Sequence, residues 1–345
     1  MLPRKTNTTV GIAIPAYKRG HHLAATLESA LRQTRPADEI VIVDDCSPDN
    51  TRDVALAYAS RGVRYVRNAV NFGVPENYNV SIDQLTSDYV FILEDHDLLA
   101  PTFVERCATA LDQHPDANLA FTDIAEIDEH GSVIRENRFN RPAVIPSAAF
   151  AKDLVTMVGA IFGLTAMIRR TALEGLEPYF DPKYWAYADI YLWIRLALGG
   201  SAAYVPEPLL QMRVREEGHH LDGREWDSLR CVDRIKRDCW PLVFPAPTIG
   251  SVYHKGVYRL KQDRVGLQQI VADIARGQQL RWTDMGDDKR QYLTPLGRLL
   301  ARAVTRVTPR QAQFARRLYH TLLVAPMIGT RRLRRPSLVA PSRSS

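Results

Sequence analysis

The chain is poor in cysteine and has no metal motif built from it. Four of its 345 residues are cysteines, and no two of them form a CxxC pair or a zinc-type spacing. Neither a disulfide framework nor a structural zinc site is therefore expected. Free thiols are typical of a reducing compartment, and so we expect a cytoplasmic protein.

Long apolar segments are lacking as well. No uninterrupted apolar run reaches 18 residues, so no membrane-spanning helix is expected. The N-terminal stretch MLPRKTNTTV lacks the apolar core of a signal peptide. Both features agree with a protein that stays in the cytoplasm.

Acidic residues are missing from the C-terminal part of the chain. Residues 289–345 contain 13 Lys and Arg and no Asp or Glu, whereas the preceding 288 residues carry 32 basic and 39 acidic side chains. The sequence therefore predicts a main domain over 1–240, a helical connector over 241–288 and a basic amphipathic extension over 289–345.

The basic extension pairs apolar residues at helical spacing with rows of arginine. Such helices can lie on an anionic membrane, with apolar side chains in the interface and arginines at the lipid phosphates. The predicted partner is the cytoplasmic face of the inner membrane. The alternative is that the apolar faces pack on the main domain of the same chain, or on a second subunit, in which case they form an oligomer.

Two kinds of phosphate loop are absent. The turn Pro15–Gly20 after the first predicted strand holds a single glycine, not the G-x-G-x-x-G of a dinucleotide-binding domain. A nucleotidyltransferase would need a glycine-rich basic loop at the same place. The chain also lacks zinc-finger, RRM and KH signatures, so no specific binding to nucleic acid is expected.

The most informative stretch present is Tyr89–Leu99, YVFILEDHDLL. The apolar run Tyr89–Leu93 is long enough to cross a sheet that is buried on both faces, and the acidic run Glu94–Asp97 follows it at once. Carboxylates so close together repel each other unless a cation or protons neutralise them. Carboxylate and imidazole groups suit Mn²⁺ or Mg²⁺. A solvated acidic turn is the alternative.

Strand and helix patterns alternate every 25 to 30 residues through the first hundred positions. Apolar strands are predicted at 10–14, 39–43, 63–67 and 89–93, with amphipathic helices between them. This alternation predicts an α/β fold with a doubly wound, mostly parallel sheet. In such sheets ligands bind at the carboxyl ends of the strands.

Six motifs in this order resemble those of the family 2 glycosyltransferases with the GT-A fold. They are Ile14–Tyr17, Val43–Ser47, Asn71–Gly73, Leu93–Asp97, Ala188–Arg195 and Pro208–Val214. The resemblance covers roughly residues 8 to 225. It implies a Rossmann-like nucleotide-binding half within the α/β sheet, joined here to the helical basic extension.

The resemblance assigns a nucleotide site to several residues along the strand ends. The site would comprise Pro15, Ala16, Tyr17, Asp44, Asp45, Arg67, Asn71, Glu94, Asp95 and Arg213. Asp45 can accept a hydrogen bond from the imide N–H of uracil or thymine, a group that adenine lacks. For Asp44 and Asp45 the alternative is helix capping, for Arg67 an ordinary surface position, and for Arg213 a salt bridge to Glu216 or Glu217.

The same resemblance implies a divalent metal, Mn²⁺ or Mg²⁺, beside the diphosphate of the donor. The ligands would be Asp95, His96 and Asp97, and which of them coordinates directly stays open because His96 stands where an aspartate is usual. His219 or its neighbour His220 would add a ligand or cover the nucleotide. Trp185 and Trp193 are candidates for stacking on a sugar, with Trp193 on the apolar side of its helix.

Asp189 is the candidate catalytic base. In inverting members of the family, the matching aspartate takes the proton from the acceptor hydroxyl as that oxygen attacks the sugar. The usual Glu-Asp pair reads Ala188-Asp189 here, so Asp189 would act without a helper carboxylate. A helix N-cap is the alternative.

The resemblance therefore implies an inverting glycosyltransferase. It would use a UDP-sugar or dTDP-sugar donor and a saccharide or lipid-linked acceptor, in the synthesis of bacterial surface polysaccharide. The alternative is a catalytically inactive module of the same fold that binds nucleotide sugars.

Overall fold

The computed structural model describes residues 8–156, 166–214 and 225–245, with the single helical residues Ile270 and Ala301. For Ala186 and residues 225–230 only the backbone is described. By its internal contacts the chain divides into two compact units, Met1–Ser251 and Val252–Ser345. No helix among the described residues is both long and apolar enough to cross a membrane. The basic extension lies almost wholly outside these residues, and its role stays a prediction.

The first half of the fold is a parallel sheet wound with helices. Its elements are β1 Val10–Ala16, α1 Gly20–Leu31, β2 Glu39–Asp44, α2 Thr51–Ala57, β3 Val63–Arg67, α3 Val74–Asp83 and β4 Tyr89–Ile92. The four strands are hydrogen-bonded in the order β3-β2-β1-β4, all parallel. The predicted parallel, helix-wound arrangement of this half is confirmed, whereas its binding of a nucleotide stays a prediction.

The second half continues the same sheet with mixed pairings. Its elements are β5 Leu98–Leu99, α4 Phe103–Gln113, β6 Ala117–Ile127, β7 Val133–Asn137, β8 Val144–Ile145, α5 Ser147–Thr156, β9 Ala166–Arg169, α6 Ala188–Gly199, β10 Ser201–Arg213 and α7 Glu225–Val243. The order runs on as β4-β9-β6-β10-β5, with β7 beside β6 and β8 beside β10. Strand β9 is antiparallel to both β4 and β6, while β6 and β10 are parallel.

One prediction about this half needs correction. The sequence pattern predicts two short strands, 202–205 and 209–214, joined by Pro206–Pro208, but β10 is a single strand paired with β6 along its length. The register shifts between Val205 and Pro208, where proline cannot donate a ladder hydrogen bond. An irregularity within one strand therefore absorbs both prolines, and the strand carries on to Arg213.

Strand β4 is buried on both sheet faces, as its composition predicts. Tyr89 and Phe91 pack in one apolar cluster, and Val90 and Ile92 pack in the other, on the opposite face. All four are at most 3% exposed. Period-two alternation explains the division, since successive side chains of a strand point to opposite faces. The strand therefore holds the acidic residues that follow it at a fixed place on the sheet edge.

Candidate active site

Three side chains of the acidic run come together directly after β4. The carboxylates of Glu94 and Asp95 and the imidazole of His96 offer ligand atoms that all lie within 4.8 Å of one another. Asp95 Oδ2 accepts a hydrogen bond from the backbone N–H of Tyr17 at 3.0 Å, and Asp95 Oδ1 lies 3.0 Å from His96 Nδ1. The end of β1 therefore holds one member of this acidic cluster, Glu94–His96, in place.

The acidic cluster carries its own proton when no cation is bound. Burial alone lowers the pKa of His96, but the hydrogen bond with Asp95 and the charges of Asp97 and Glu94 outweigh burial and raise the pKa to about 9. Burial also raises the pKa of Glu94. Two carboxylates and an imidazole fit a divalent cation such as Mn²⁺ or Mg²⁺. These groups would hold it in place of that proton.

Asp97, a predicted metal ligand, contacts β10 and also lies near His96. It is 4% exposed, and its Oδ1 accepts the backbone N–H of Arg213 on β10 at 2.8 Å. Its Oδ1 is 3.9 Å from His96 Nε2. Burial raises the pKa of Asp97 to about 7. The structure thus groups Glu94 with Asp95 and His96, and joins Asp97 to the far strand.

Arg213 joins the acidic run to a neighbouring turn. It is 4% exposed. Its Nε donates to the carbonyl of His96 at 2.9 Å, and its Nη1 donates to the carbonyls of Asp128 and Glu129 at 2.6 and 2.7 Å. These contacts fix the backbone of both segments. The predicted diphosphate contact stays a prediction, and Glu216, Glu217, His219 and His220 lie outside the described residues.

Asp44, at the end of β2, is buried, and its carboxylate accepts hydrogen bonds from three residues. Its Oδ2 accepts hydrogen bonds from Tyr65 at 2.6 Å and Arg67 at 2.5 Å, and its Oδ1 accepts the N–H of Ser47 at 2.8 Å. With no exposed surface, the Asp44 carboxylate orders the turn that begins at half-buried Cys46, whose φ is +61°. Arg67 is more than a surface residue, because the same carboxylate binds it.

Asp45 holds the loop that contains Asn71–Gly73. Its Oδ1 accepts the amide of Asn68 and the N–H of Phe72, both at 2.8 Å, and its Oδ2 accepts the N–H of Gly73 at 2.9 Å. The amide of Asn71 donates to the Asp45 carbonyl at 3.1 Å. Neither Asp44 nor Asp45 caps α2. Asp45 thus shapes the turn, and its contact with a base stays a prediction.

This bonding makes Asp45 sensitive to an isosteric change. We expect Asp45→Asn to lower the free energy of unfolding by about 2 kcal/mol, because the new NH₂ group must face an N–H donor. Urea unfolding of the full chain measures the change. Asp53→Asn, an exposed carboxylate on α2, should change stability by less than about 0.5 kcal/mol. A loss as small as that for Asp45→Asn would show that the turn holds without the carboxylate.

The last residues of β1 are buried, but the side chain of Tyr17, directly after them, is exposed to solvent. Pro15 and Ala16 are buried within β1, and the Ala16 carbonyl accepts the N–H of Asp45 at 2.9 Å. The ring of Tyr17 is 39% exposed, and that of Phe72 is 46% exposed. The Lys18 ammonium lies over the Tyr17 ring, 4.9 Å from its centroid, so a planar ligand could stack on Phe72 or on the other face of Tyr17.

Asp189 lies in the first turn of α6. Its Oδ1 accepts the N–H of Ile190 at 2.8 Å, while the N-cap position belongs to Tyr187. Burial raises the pKa of Asp189 to about 6, and the negative charge of Glu94 adds to this effect. The charge of the acidic cluster therefore acts on this carboxylate. With a pKa of about 6, the carboxylate is unprotonated at neutral pH. Trp193, further along α6, is 1% exposed and belongs to the core.

Several site residues carry no obvious signal in the sequence. Tyr78 on α3 donates its hydroxyl hydrogen bond to Glu94, and burial raises the pKa of Tyr78 well above its usual value. The positive charge of Arg19 favours ionised Glu94. His22 Nε2 lies 3.1 Å from Glu129, and burial lowers the pKa of His22. Only the Lys-Arg-Gly run after β1 could have drawn attention to Arg19.

Sequence comparisons give one family. The profile of Glycosyl transferase family 2 matches residues 11–176. An uncharacterized glycosyltransferase of Haemophilus influenzae is 28% identical over 184 residues, which are 49% of this chain and 59% of the relative. A putative glycosyltransferase of Bacillus subtilis, EpsE, is 27% identical over 221 residues, 63% of this chain and 76% of the relative. The chain thus spans about three-fifths of the Haemophilus protein.

Solved structures share the fold. S. aureus TarS 1–349 in complex with UDP gives a TM-score of 0.55 at 15% identity, covering 91% of each chain. TarS 1–349 in complex with UDP-GlcNAc gives 0.56 at 16% identity, covering 91% of this chain and 92% of TarS. The α/β architecture described above is therefore shared with the TarS 1–349 fragment.

Proposed function

We propose, since this chain belongs to glycosyl transferase family 2, that it moves a sugar from a nucleotide-diphosphate donor to the hydroxyl of an acceptor with inversion at the anomeric carbon. The acceptor would be a saccharide or a lipid-linked saccharide, and the product a bacterial surface polysaccharide. UDP-sugars are the favoured donors and dTDP-sugars the second choice.

The observation that carries this proposal is that the charge of Glu94, a member of the acidic cluster, acts on the carboxylate of Asp189 and helps to raise its pKa. Asp189 has a pKa of about 6, so at neutral pH its carboxylate can accept the proton of an acceptor hydroxyl. That hydroxyl oxygen attacks the anomeric carbon while the bond to the diphosphate breaks. Glu94, Asp95 and His96 would hold a Mn²⁺ or Mg²⁺ ion, which when bound offsets the negative charge of the leaving diphosphate.

A uridine donor is supported by analogy and by the chemistry of the strand ends. The TarS fragment with the same fold binds UDP and UDP-GlcNAc. In this chain the exposed ring of Tyr17 lies beside the end of β1, where a base could stack. Asp45 Oδ2 accepts one protein N–H among the described residues, which leaves a lone pair for an imide N–H.

The second candidate is a catalytically inactive module that binds nucleotide sugars. It would keep the acidic cluster and the Tyr17 loop but lack turnover. The recessed carboxylate of Asp189 favours the enzyme, because a raised pKa at a site is costly to retain without a chemical role.

A panel of sugar nucleotides tests the proposal. With Mn²⁺ present we expect one UDP-sugar to raise the Tm of the full chain and to be turned over in the presence of an acceptor. The same nucleotide without metal, ATP alone and duplex DNA are the controls and should leave Tm unchanged. Binding without turnover across a broad panel of acceptors would favour the inactive module, and no binding of any nucleotide sugar would refute both.

A further inference from the structure

The segment just before α6, which leads into Asp189, has a strained backbone. Residues Pro182–Tyr187 form tight helical turns that are interrupted at Trp185, whose φ is +37° and ψ is −109°. A bulky residue in this region of φ costs free energy and persists only where surrounding contacts impose it. The contacts that impose it come from two helices, one on each side.

The first set of contacts comes from α3. Asn79 donates from Nδ2 to the carbonyl of Phe180 at 2.9 Å and accepts the N–H of Phe180 at Oδ1 at 2.8 Å. One side chain thus satisfies both backbone groups of a residue that is 1% exposed. The ring of Tyr78 also packs edge-on against the Phe180 ring, with centroids 5.2 Å apart.

The second set of contacts comes from α7. Asp238 Oδ2 accepts hydrogen bonds from Lys183 Nζ at 2.6 Å and from the Tyr184 hydroxyl at 2.7 Å. Arg234, one turn earlier on α7, donates to the carbonyl of Lys183. The Tyr184 side chain is 2% exposed, so its bond to Asp238 is sheltered from water.

Helix α3 also reaches the acidic cluster. Tyr78, the residue next to Asn79, donates its hydroxyl hydrogen bond to Glu94. Adjacent residues of one rigid helix therefore contact the acidic run and the segment before α6. The strained segment Pro182–Tyr187 depends on such contacts for its conformation. Helix α3 therefore sets the separation between Glu94 and Asp189.

We infer that Asn79 and Asp238 are positioning residues for Asp189: Asn79 fixes the start of its segment to α3, and Asp238 fixes the middle to α7. This inference rests on the proposed function for its catalytic consequence. A base that is misplaced by about 1 Å can lose about a hundredfold in rate, so the two contacts should matter for transfer far more than for donor binding.

The test compares Asn79→Ala and Asp238→Asn with a matched control, Asn118→Ala. Asn118 also donates from Nδ2 to a backbone carbonyl, that of Leu196 at 2.9 Å, but at the far end of α6. For each full-length variant we would measure transfer kcat, the Kd for UDP with Mn²⁺, and hydrogen exchange of peptides covering 10–17, 89–97 and 180–190.

For Asn79→Ala we expect kcat to fall about 10- to 100-fold with the Kd for UDP within about twofold of wild type. Asp238→Asn should act in the same direction but less strongly, since an amide oxygen can still accept both bonds and only the charge paired with Lys183 is lost. Exchange should rise in 180–190 only. Asn118→Ala should leave kcat and exchange in 180–190 unchanged.

Unchanged exchange in 180–190 for Asn79→Ala would overturn the inference. So would a Kd that weakens in step with kcat, or an equal loss of kcat in Asn118→Ala, since either indicates a general structural effect. If the wild type transfers no sugar at all, the proposed function fails, and the exchange data alone then decide whether Asn79 and Asp238 hold the segment.

Discussion

Replacing Asp189 with asparagine should abolish sugar transfer and leave nucleotide binding intact. An amide cannot take the proton of the acceptor hydroxyl, and loss of a general base costs about 10²- to 10⁴-fold in rate. The Asp189 carboxylate accepts its hydrogen bond from the N–H of Ile190 on its own helix, and so we expect the Kd for UDP with Mn²⁺ to stay near the wild-type value. Steady-state transfer and calorimetric titration of the variant measure the two effects separately.

The pH dependence provides a second expectation for the same residue. Burial raises the pKa of Asp189 to about 6, so transfer by the wild type should fall about tenfold per pH unit below pH 6. The folded state binds this proton more tightly than the unfolded chain does. The stability of the wild type relative to Asp189→Asn should therefore fall as the pH rises from about 4 to about 6.

The stability of the variant separates a catalytic role from a structural one. At pH 7 we expect Asp189→Asn to be more stable than the wild type by on the order of 2 kcal/mol, since the folded protein no longer buries an ionised carboxylate. A carboxylate whose function was to stabilise the start of α6 would give the opposite sign. A less stable variant, or one that keeps full activity, would assign Asp189 to the helix rather than to catalysis.

The second large effect should come from Glu94. We expect Glu94→Ala to weaken the binding of UDP with Mn²⁺ at least about tenfold and to reduce transfer at least as much. The cluster would lose one of its three grouped ligands, and ligand changes weaken metal sites strongly. Titration of UDP with and without Mn²⁺ measures the metal-dependent part of the affinity.

Asp97→Asn is the matched control for this experiment. Its Oδ1 accepts the N–H of Arg213, and an amide oxygen can accept the same bond, so the loop should keep its shape. We expect the metal-dependent affinity of Asp97→Asn to lie within about threefold of wild type. An equal loss in both variants would indicate that Asp97 is a metal ligand. Full turnover of the wild type in excess EDTA would show that transfer needs no divalent metal.

The sequence was a good guide wherever one element determines the outcome. The apolar run Tyr89–Leu93 predicted a strand buried on both faces, and the acidic run at its end predicted an accumulation of charge there. The hydrophobic period and the order of strands and helices are local properties, so they can be read directly. The nucleotide-binding half follows from them.

The different contacts of Glu94 and Asp97 within the acidic run could not be predicted from the sequence. Glu94 and Asp97 are three residues apart, yet Glu94 faces Asp95 and His96 while Asp97 meets Arg213, which lies 116 positions further on. The path of the turn after β4 decides this, and that path depends on β10. The bonds of Asp45 to Phe72 and Gly73 span nearly 30 positions and have no signature in composition.

The left-handed turn at Cys46 gives the chain an intrinsic chemical probe. Cys107, Cys231 and Cys239 are buried, and burial raises the pKa of the Cys239 thiol to about 12, whereas Cys46 is partly accessible. A thiol reagent at neutral pH should therefore label Cys46 first. The label would lie between Asp45 and Ser47, beside the guanidinium of Arg67. Protection of this single thiol can then report occupancy of the strand edge by any candidate nucleotide, before the transferred sugar or its acceptor is known.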